Sequence, residues 1–260
     1  MHGLRLQALT EPIDHSPGPR DEQSQPLDRR RGLLLVVIGV AVVIALIVRG
    51  VVTTETVLVL SVLFASVILH EVSHGAVALR FGDDTAQKAG RLTLNPVSHV
   101  DVFGTLILPT ILVLAGSPPF GWAKPVPVNP SRLRNPRNHT LLVSLAGPAV
   151  NITLALVAAL ALRSVLPARF VDTDSLPVTT RLLIDLGIVN VVLAVFNLIP
   201  IPPLDGSAVV ERLLPASWWP GYLKLRRYSM GLLLVLVLLL PRALDRLFAP
   251  AINFWARLVS

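Results

Sequence analysis

Residues 57–69 are thirteen positions with only Ser61 and Ser66 among apolar side chains, and His70, Glu71, Val72, Ser73 and His74 follow directly. Comparable apolar runs occur at 32–48, which is uncharged over 17 residues, at 141–162 and at 182–201. Each approaches the ~20 apolar residues that a helix needs to cross a bilayer. In lipid the backbone must satisfy its own hydrogen bonds, and helices do so. Three ionisable side chains placed after such a run are costly unless they face a cavity or hold a metal.

The composition agrees with a membrane setting. The chain is 53% hydrophobic and 15% charged, with mean hydropathy +0.67, too apolar for an ordinary soluble domain. The expected fold is an all-α polytopic membrane protein with about five to six transmembrane helices, a re-entrant segment and short β or irregular loops near the site. A net charge of +7 could suggest nucleic acid. In a chain of this kind, basic residues mark cytoplasmic loops and anionic headgroups instead, so no nucleic-acid partner is expected. There is no cysteine, which leaves His, Asp and Glu to hold any metal.

Taken in order, residues 1–31 read as a polar, basic cytoplasmic tail ending in Arg29-Arg30-Arg31, and 32–48 as a first span starting inside. Residues 32–250 are expected to form a single transmembrane domain, and 251–260 a C-terminal tail. The helices that carry the site are expected at about 56–79, 141–162 and 182–205. Between the first two, residues 91–94 alternate in the manner of a strand. Residues 102–115, short and broken by Gly104 and Pro109, have basic flanks on both sides, which fits re-entry better than crossing. Prolines at 125, 127, 130 and 136 forbid a regular helix there. Residues 163–181 read as an outer loop, and 228–247 as a last span interrupted by Pro241.

The motif His70-Glu71-Val72-Ser73-His74 has a specific chemical meaning on a helix. Positions four apart share a face, so His70 and His74 can offer two imidazole nitrogens to one ion. Glu71, one step round, reaches bound water as a general base. Zinc is the usual metal of such a site. A bare pentapeptide of this form can also be a solvated helix face, and the apolar run before it argues against that.

A catalytic zinc site usually has three protein ligands. Asp205 is the best candidate for the third, because it ends a helix running inward, as the helix of His70 does. Pro203-Leu204-Asp205-Gly206 can also be a plain turn. His99, Asp101 and His139 are weaker candidates. Asp185 and Asn190 fall in the outer half of their helix and are expected to be packing or hydrogen-bonding groups.

Together His70-Glu71-Val72-Ser73-His74, Ala146-Gly147-Pro148 with Asn151, and Asn197-Leu198-Ile199-Pro200-Ile201-Pro202-Pro203-Leu204-Asp205-Gly206 resemble the site-2 protease family of intramembrane zinc metalloproteases. The resemblance covers roughly residues 55–215. It implies one zinc ion on His70, His74 and Asp205, with Glu71 as the catalytic base and Asn151 and Asn197 in substrate binding or site support. It also implies a transmembrane protein or peptide substrate and a place in a bacterial cell membrane. From the basic loops, the N-terminus and the active site are expected on the cytoplasmic side. No stretch suggests a PDZ or nucleotide-sensing CBS module. An exposed edge at 91–94 or 122–130 is expected to hold an unwound substrate. The competing function is a metal-handling membrane protein, a zinc transporter or sensor, that needs no base at Glu71.

Overall fold

The apolar run at 57–69 lies within α1 (Thr54–Arg80), which carries Glu55 in its first turn and Arg80 in its last, both favourable to the helix dipole. The structure, a computed structural model, describes Gly50 and residues 53–114, 121–165 and 176–260. All but Gly50 and Thr53 belong to one unit, Thr54–Ser260. The expected tail at 1–31 and first span at 32–48 lie outside the described residues.

After α1 the chain turns at Gly82, whose φ of 106° is a backbone state open to glycine. A short α2 (Thr85–Lys88) follows, then a 3-10 turn at Pro96–His99. A π-helical turn at Val102–Ile107 leads into α3 (Leu108–Leu114). The long α4 (Pro136–Val165) and α5 (Val178–Asn197) come next, then α6 (Ser207–Leu213), α7 (Trp219–Leu239) and α8 (Pro241–Val259). Among the described residues there is no strand, so the fold is all-helical as expected, without the short β element.

Residues 91–94 bend instead of forming a strand. The neighbouring segment offers no ladder: Pro125 and Pro127 lack N–H groups. The buried Arg91 takes up the carbonyls there, donating from Nη2 to Lys124 O at 2.6 Å and to Pro125 O at 3.3 Å.

Among the described residues, three helices are long and apolar enough to cross a membrane: α1, α4 and α5. Only 17% of the most apolar stretch of α1 is buried, and its exposed side chains include Val57, Val59, Leu60 and Leu69. An exposed apolar surface of this kind suits lipid and would be a liability in water. The run at 228–247 is not one helix. It breaks at Leu240, because Pro241 cannot continue α7 and instead starts α8. The segment at 102–114 returns on itself. Trp122 N donates to Gly104 O at 3.1 Å, and Thr105 Oγ1 donates to Trp122 O at 2.9 Å, so the chain leaves beside the point where it entered.

The core forms where α4 and α5 pack together, with α1 against both and α8 across them. Its buried side chains are mostly small, Ala155, Ala158 and Ala159 with Leu162 and Val191, which lets the helix backbones approach closely. Residues 251–259, expected as a tail, are the last turns of α8. From them Trp255 enters this core and donates its indole N–H to Ala155 O at 2.7 Å. A Cβ at Gly187 would lie 1.8 Å from the Trp255 ring, so the docking requires glycine there.

Candidate metal centre

His70 and His74 lie one turn apart on α1, both buried, with ring centroids 4.7 Å apart and planes at 82°. Helical spacing alone brings them together. Asp205 arrives from the far end of α5. That helix stops at Asn197, and prolines 200, 202 and 203 follow within six residues, which removes the N–H donors a continued helix would need. The chain coils back into a tight turn in which Gly206 N donates to Asn197 O at 2.6 Å and Leu204 N to Ile201 O at 3.0 Å. A Cβ on Gly206 would lie 2.2 Å from Leu198 O, so glycine at this position lets the turn close and sets Asp205 beside α1.

Asp205 Oδ2 lies 3.1 Å from His70 Nε2 and 3.4 Å from His74 Nε2. The other ring nitrogens are taken. His74 Nδ1 lies 2.7 Å from Val143 O, a carbonyl that can only accept, so His74 carries its proton on Nδ1. His70 Nδ1 lies 2.5 Å from Asn151 Oδ1. With both protons on Nδ1, two Nε2 lone pairs and a carboxylate oxygen face one another. Oδ2 is buried and accepts no hydrogen bond among the described residues. Three acceptors within 4.8 Å of one another and no donor between them form a repulsive set that a cation would relieve. One carboxylate and two imidazoles suit zinc, and such a site needs no cysteine. The residues therefore fit the metal.

Helix α4 backs this cluster. Gly147 lies against it, and Pro148, buried inside the helix, removes one helical N–H. A Cβ on Gly147 would meet His70 Cε1 at 2.4 Å and His74 Nε2 at 2.6 Å. Glu71, half-buried, accepts from Val126 N at 2.9 Å. Val126 lies between two prolines, and its N–H is the lone main-chain donor of the Pro125-Val126-Pro127 stretch. That stretch is anchored at several points: by Arg91, by the bond from Lys124 N to His99 O at 2.9 Å, and by the bond from Asn129 N to Asp83 Oδ2 at 2.6 Å.

Asp83, buried just beyond α1, also accepts from the backbone N–H and hydroxyl of Thr85. Burial alone would push its carboxyl up. The hydrogen bonds from Thr85 and Asn129, with the Arg132 charge, outweigh that and hold it below the ordinary carboxylate range.

The remaining candidates from the sequence separate cleanly. Asn151 is fully buried and touches His70. Asn197 turns its side chain back to Leu193 O at 3.0 Å, and it is its main-chain carbonyl that braces the Asp205 turn. His99 is buried and holds Thr93 O at 2.9 Å through Nε2. Asp101 caps the following turn by accepting from Gly104 N at 2.7 Å. His139 stacks on Phe81 with centroids 4.0 Å apart. Asp185 borders an outer cavity with Glu55 and Arg181, away from the cluster. Asn190, expected as a packing or hydrogen-bonding group in the outer half of its helix, donates from Nδ2 to Ser66 Oγ at 2.8 Å and to Leu186 O at 2.8 Å. It also accepts at Oδ1 from Asn151 Nδ2 at 2.7 Å.

Comparison with known proteins gives a consistent picture. Residues 175–240, which include Asp205, match the model of peptidase family M50. A Bacillus subtilis protein named "Putative zinc metalloprotease YwhC" is 40% identical over 176 residues, 67% of this chain and 77% of that one. "Putative zinc metalloprotease Rip2" of Mycolicibacterium smegmatis is 33% identical over 193 residues, covering 70% of this chain and 66% of its own length. "Zinc metalloprotease MJ0392" of Methanocaldococcus jannaschii is 26% identical over 182 residues, 68% of this chain and 40% of that one. No solved structure matches the chain.

Proposed function

The chain belongs to peptidase family M50, the site-2 protease family, and on that premise we propose that it cuts peptide bonds of transmembrane segments inside the bilayer, with zinc on His70, His74 and Asp205 and Glu71 as general base. It is an integral membrane protein and a zinc metalloprotease, so the metal-handling alternative falls away. The observation that carries the site assignment is the set of three acceptors, two imidazole nitrogens and one carboxylate oxygen, converging without a donor.

Zinc held there would polarise the scissile carbonyl and bring the pKa of water from ~15.7 to about 7. The chain's own residues do the rest. Val126 N–H holds one oxygen of Glu71, which fixes the carboxylate and leaves its other oxygen free to take a proton. Glu71 removes a proton from the attacking water as the new C–O bond forms. It then delivers that proton to the departing amine as the C–N bond breaks. The apolar outer faces of α1 and α4 give a transmembrane substrate a lateral approach from lipid.

The basic residues support a cytoplasmic placement of the site. Arg80, Arg132, Arg134, Arg137 and Arg212 gather at the inner ends of the helices, where Arg134 donates to Arg80 O at 3.2 Å and Arg137 to Arg212 O at 3.4 Å. The N-termini of α1 and α5 meet at the opposite end through the Arg181–Glu55 ion pair at 2.9 Å. By the positive-inside rule, this clustering supports a cytoplasmic position for the first end.

The test is reconstitution in liposomes with a transmembrane model substrate. Cleavage within its apolar segment, abolished by a chelator and restored by zinc, is expected. Cleavage confined to extramembrane loops would contradict the proposal.

A further inference from the structure

The hydrogen-bond partners of Asn190 are Asn151, Ser66 and Leu186, none of them a member of the acceptor cluster, and nothing about the motifs assigns it a role. Its hydrogen bonds nonetheless decide a chemical property of His70. Leu186 O is a backbone carbonyl and can only accept, so the amide atom facing it at 2.8 Å has to be the NH2 of Asn190. The Asn190 oxygen then faces Asn151, and the Asn151 atom that meets it at 2.7 Å has to be a donor, Nδ2. This leaves Asn151 Oδ1 against His70 Nδ1 at 2.5 Å, and an acceptor there requires the proton on Nδ1. His70 Nε2 is then bare and faces Asp205. Asn151 and Asn190 are fully buried and Ser66 is 1% exposed, so water does not compete for these bonds.

We propose that Asn190 is a positioning residue that fixes the tautomer of His70 through Asn151, using the Leu186 carbonyl as its reference. The inference rests on the reading of His70 as a metal ligand. The two histidines reach the same state by different routes. His74 is set directly by a main-chain carbonyl of α4, Val143 O. His70 is set by two side-chain amides that end on a main-chain carbonyl of α5. Without Asn190, the Asn151 amide is free to rotate by half a turn and present its NH2 to His70. The proton would then move to Nε2, where it blocks metal binding. Ser66 only supports Asn190 from the side, because Leu186 O alone is enough to orient that amide.

The experiment uses the full chain in detergent, with zinc as the probe. Zinc affinity is read by chelator competition for wild type, Asn190→Leu, Ser66→Ala and His74→Ala. Ring-nitrogen NMR shifts are read on the zinc-free, histidine-labelled protein at about pH 8, above the ordinary imidazole range. Asn190→Leu is expected to weaken zinc by about 10-fold to 100-fold, the usual effect of losing a group that orients a ligand, and Ser66→Ala by less than about threefold. In wild type both His70 and His74 should carry the proton on Nδ1. In Asn190→Leu the His70 signals should move to the other tautomer while those of His74 stay, which a general loss of packing would not produce. Zinc affinity of Asn190→Leu within about threefold of wild type overturns the inference. So does a wild-type His70 protonated on Nε2, a reading that needs no variant to fold. Unchanged zinc affinity in His74→Ala would sink the metal-site reading itself and is a separate result.

Discussion

At Gly147 a methyl group would meet both imidazoles, 2.5 Å from His70 Nε2 and 2.6 Å from His74 Nε2. Neither ring can retreat, since each is held by its Nδ1 bond. Gly147→Ala should therefore cost about 1–3 kcal/mol by overpacking and weaken zinc binding at least tenfold, read by chelator competition. Asp83 makes a pH prediction outside the membrane-spanning helices. Its carboxyl is held below the ordinary range, so the stability it contributes is fully present above the unfolded-state pKa of ~3.9 and is lost as pH falls through its lower folded value. Hydrogen exchange at Thr85 and Asn129 should rise below about pH 4, and Asp83→Asn should show that fast exchange already at neutral pH. The convergence of His70, His74 and Asp205 was legible at this scale because motif spacing on a helix fixes two of the three. Asn190 was legible as a hydrogen-bonding group in an apolar helix, and its partner was not, because only the packing of α4 against α5 brings Asn151 to it. Counted along each helix, His70 lies ~15 Å from Arg80 and Asn190 ~10 Å from Asn197.

Helix α8 owes its place to one aromatic side chain. Trp255 fills the space that Gly187 leaves open and bonds Ala155 O. Trp255→Ala should destabilise the protein by about 3–5 kcal/mol in thermal or denaturant unfolding, as large aromatic deletions from cores do. The sequence predicted a tail at 251–260, because a short amphipathic stretch after a proline does not announce which surface it will meet. The strand expected at 91–94 failed for a different reason. Alternation describes the strand itself, and a strand also needs a partner with free N–H groups, which Pro125 and Pro127 do not have. Arg91 instead clamps the Pro-rich segment that carries Val126 N–H to Glu71. Arg91→Ala should lower kcat by about tenfold with zinc content unchanged, since the carboxylate is held less firmly while the ligands are untouched.

At the scale of the described residues, α1, α4, α5 and the turn after α5 place two imidazoles, one carboxylate and the amides behind them in a buried region. The overall class was readable from apolar run length, because bilayer thickness sets a physical ruler for helices. Where α7 ends and α8 turns aside was less so: Pro241 marks the break but not the direction. The most direct measurement compares wild type with Glu71→Gln in liposomes at matched zinc content, using a transmembrane substrate. Glutamine keeps the shape and cannot take the proton. With Glu71 as general base, the expected outcome is that zinc stays bound and cleavage falls by at least about 100-fold, the scale of general-base catalysis. Cleavage by Glu71→Gln equal to wild type would contradict it.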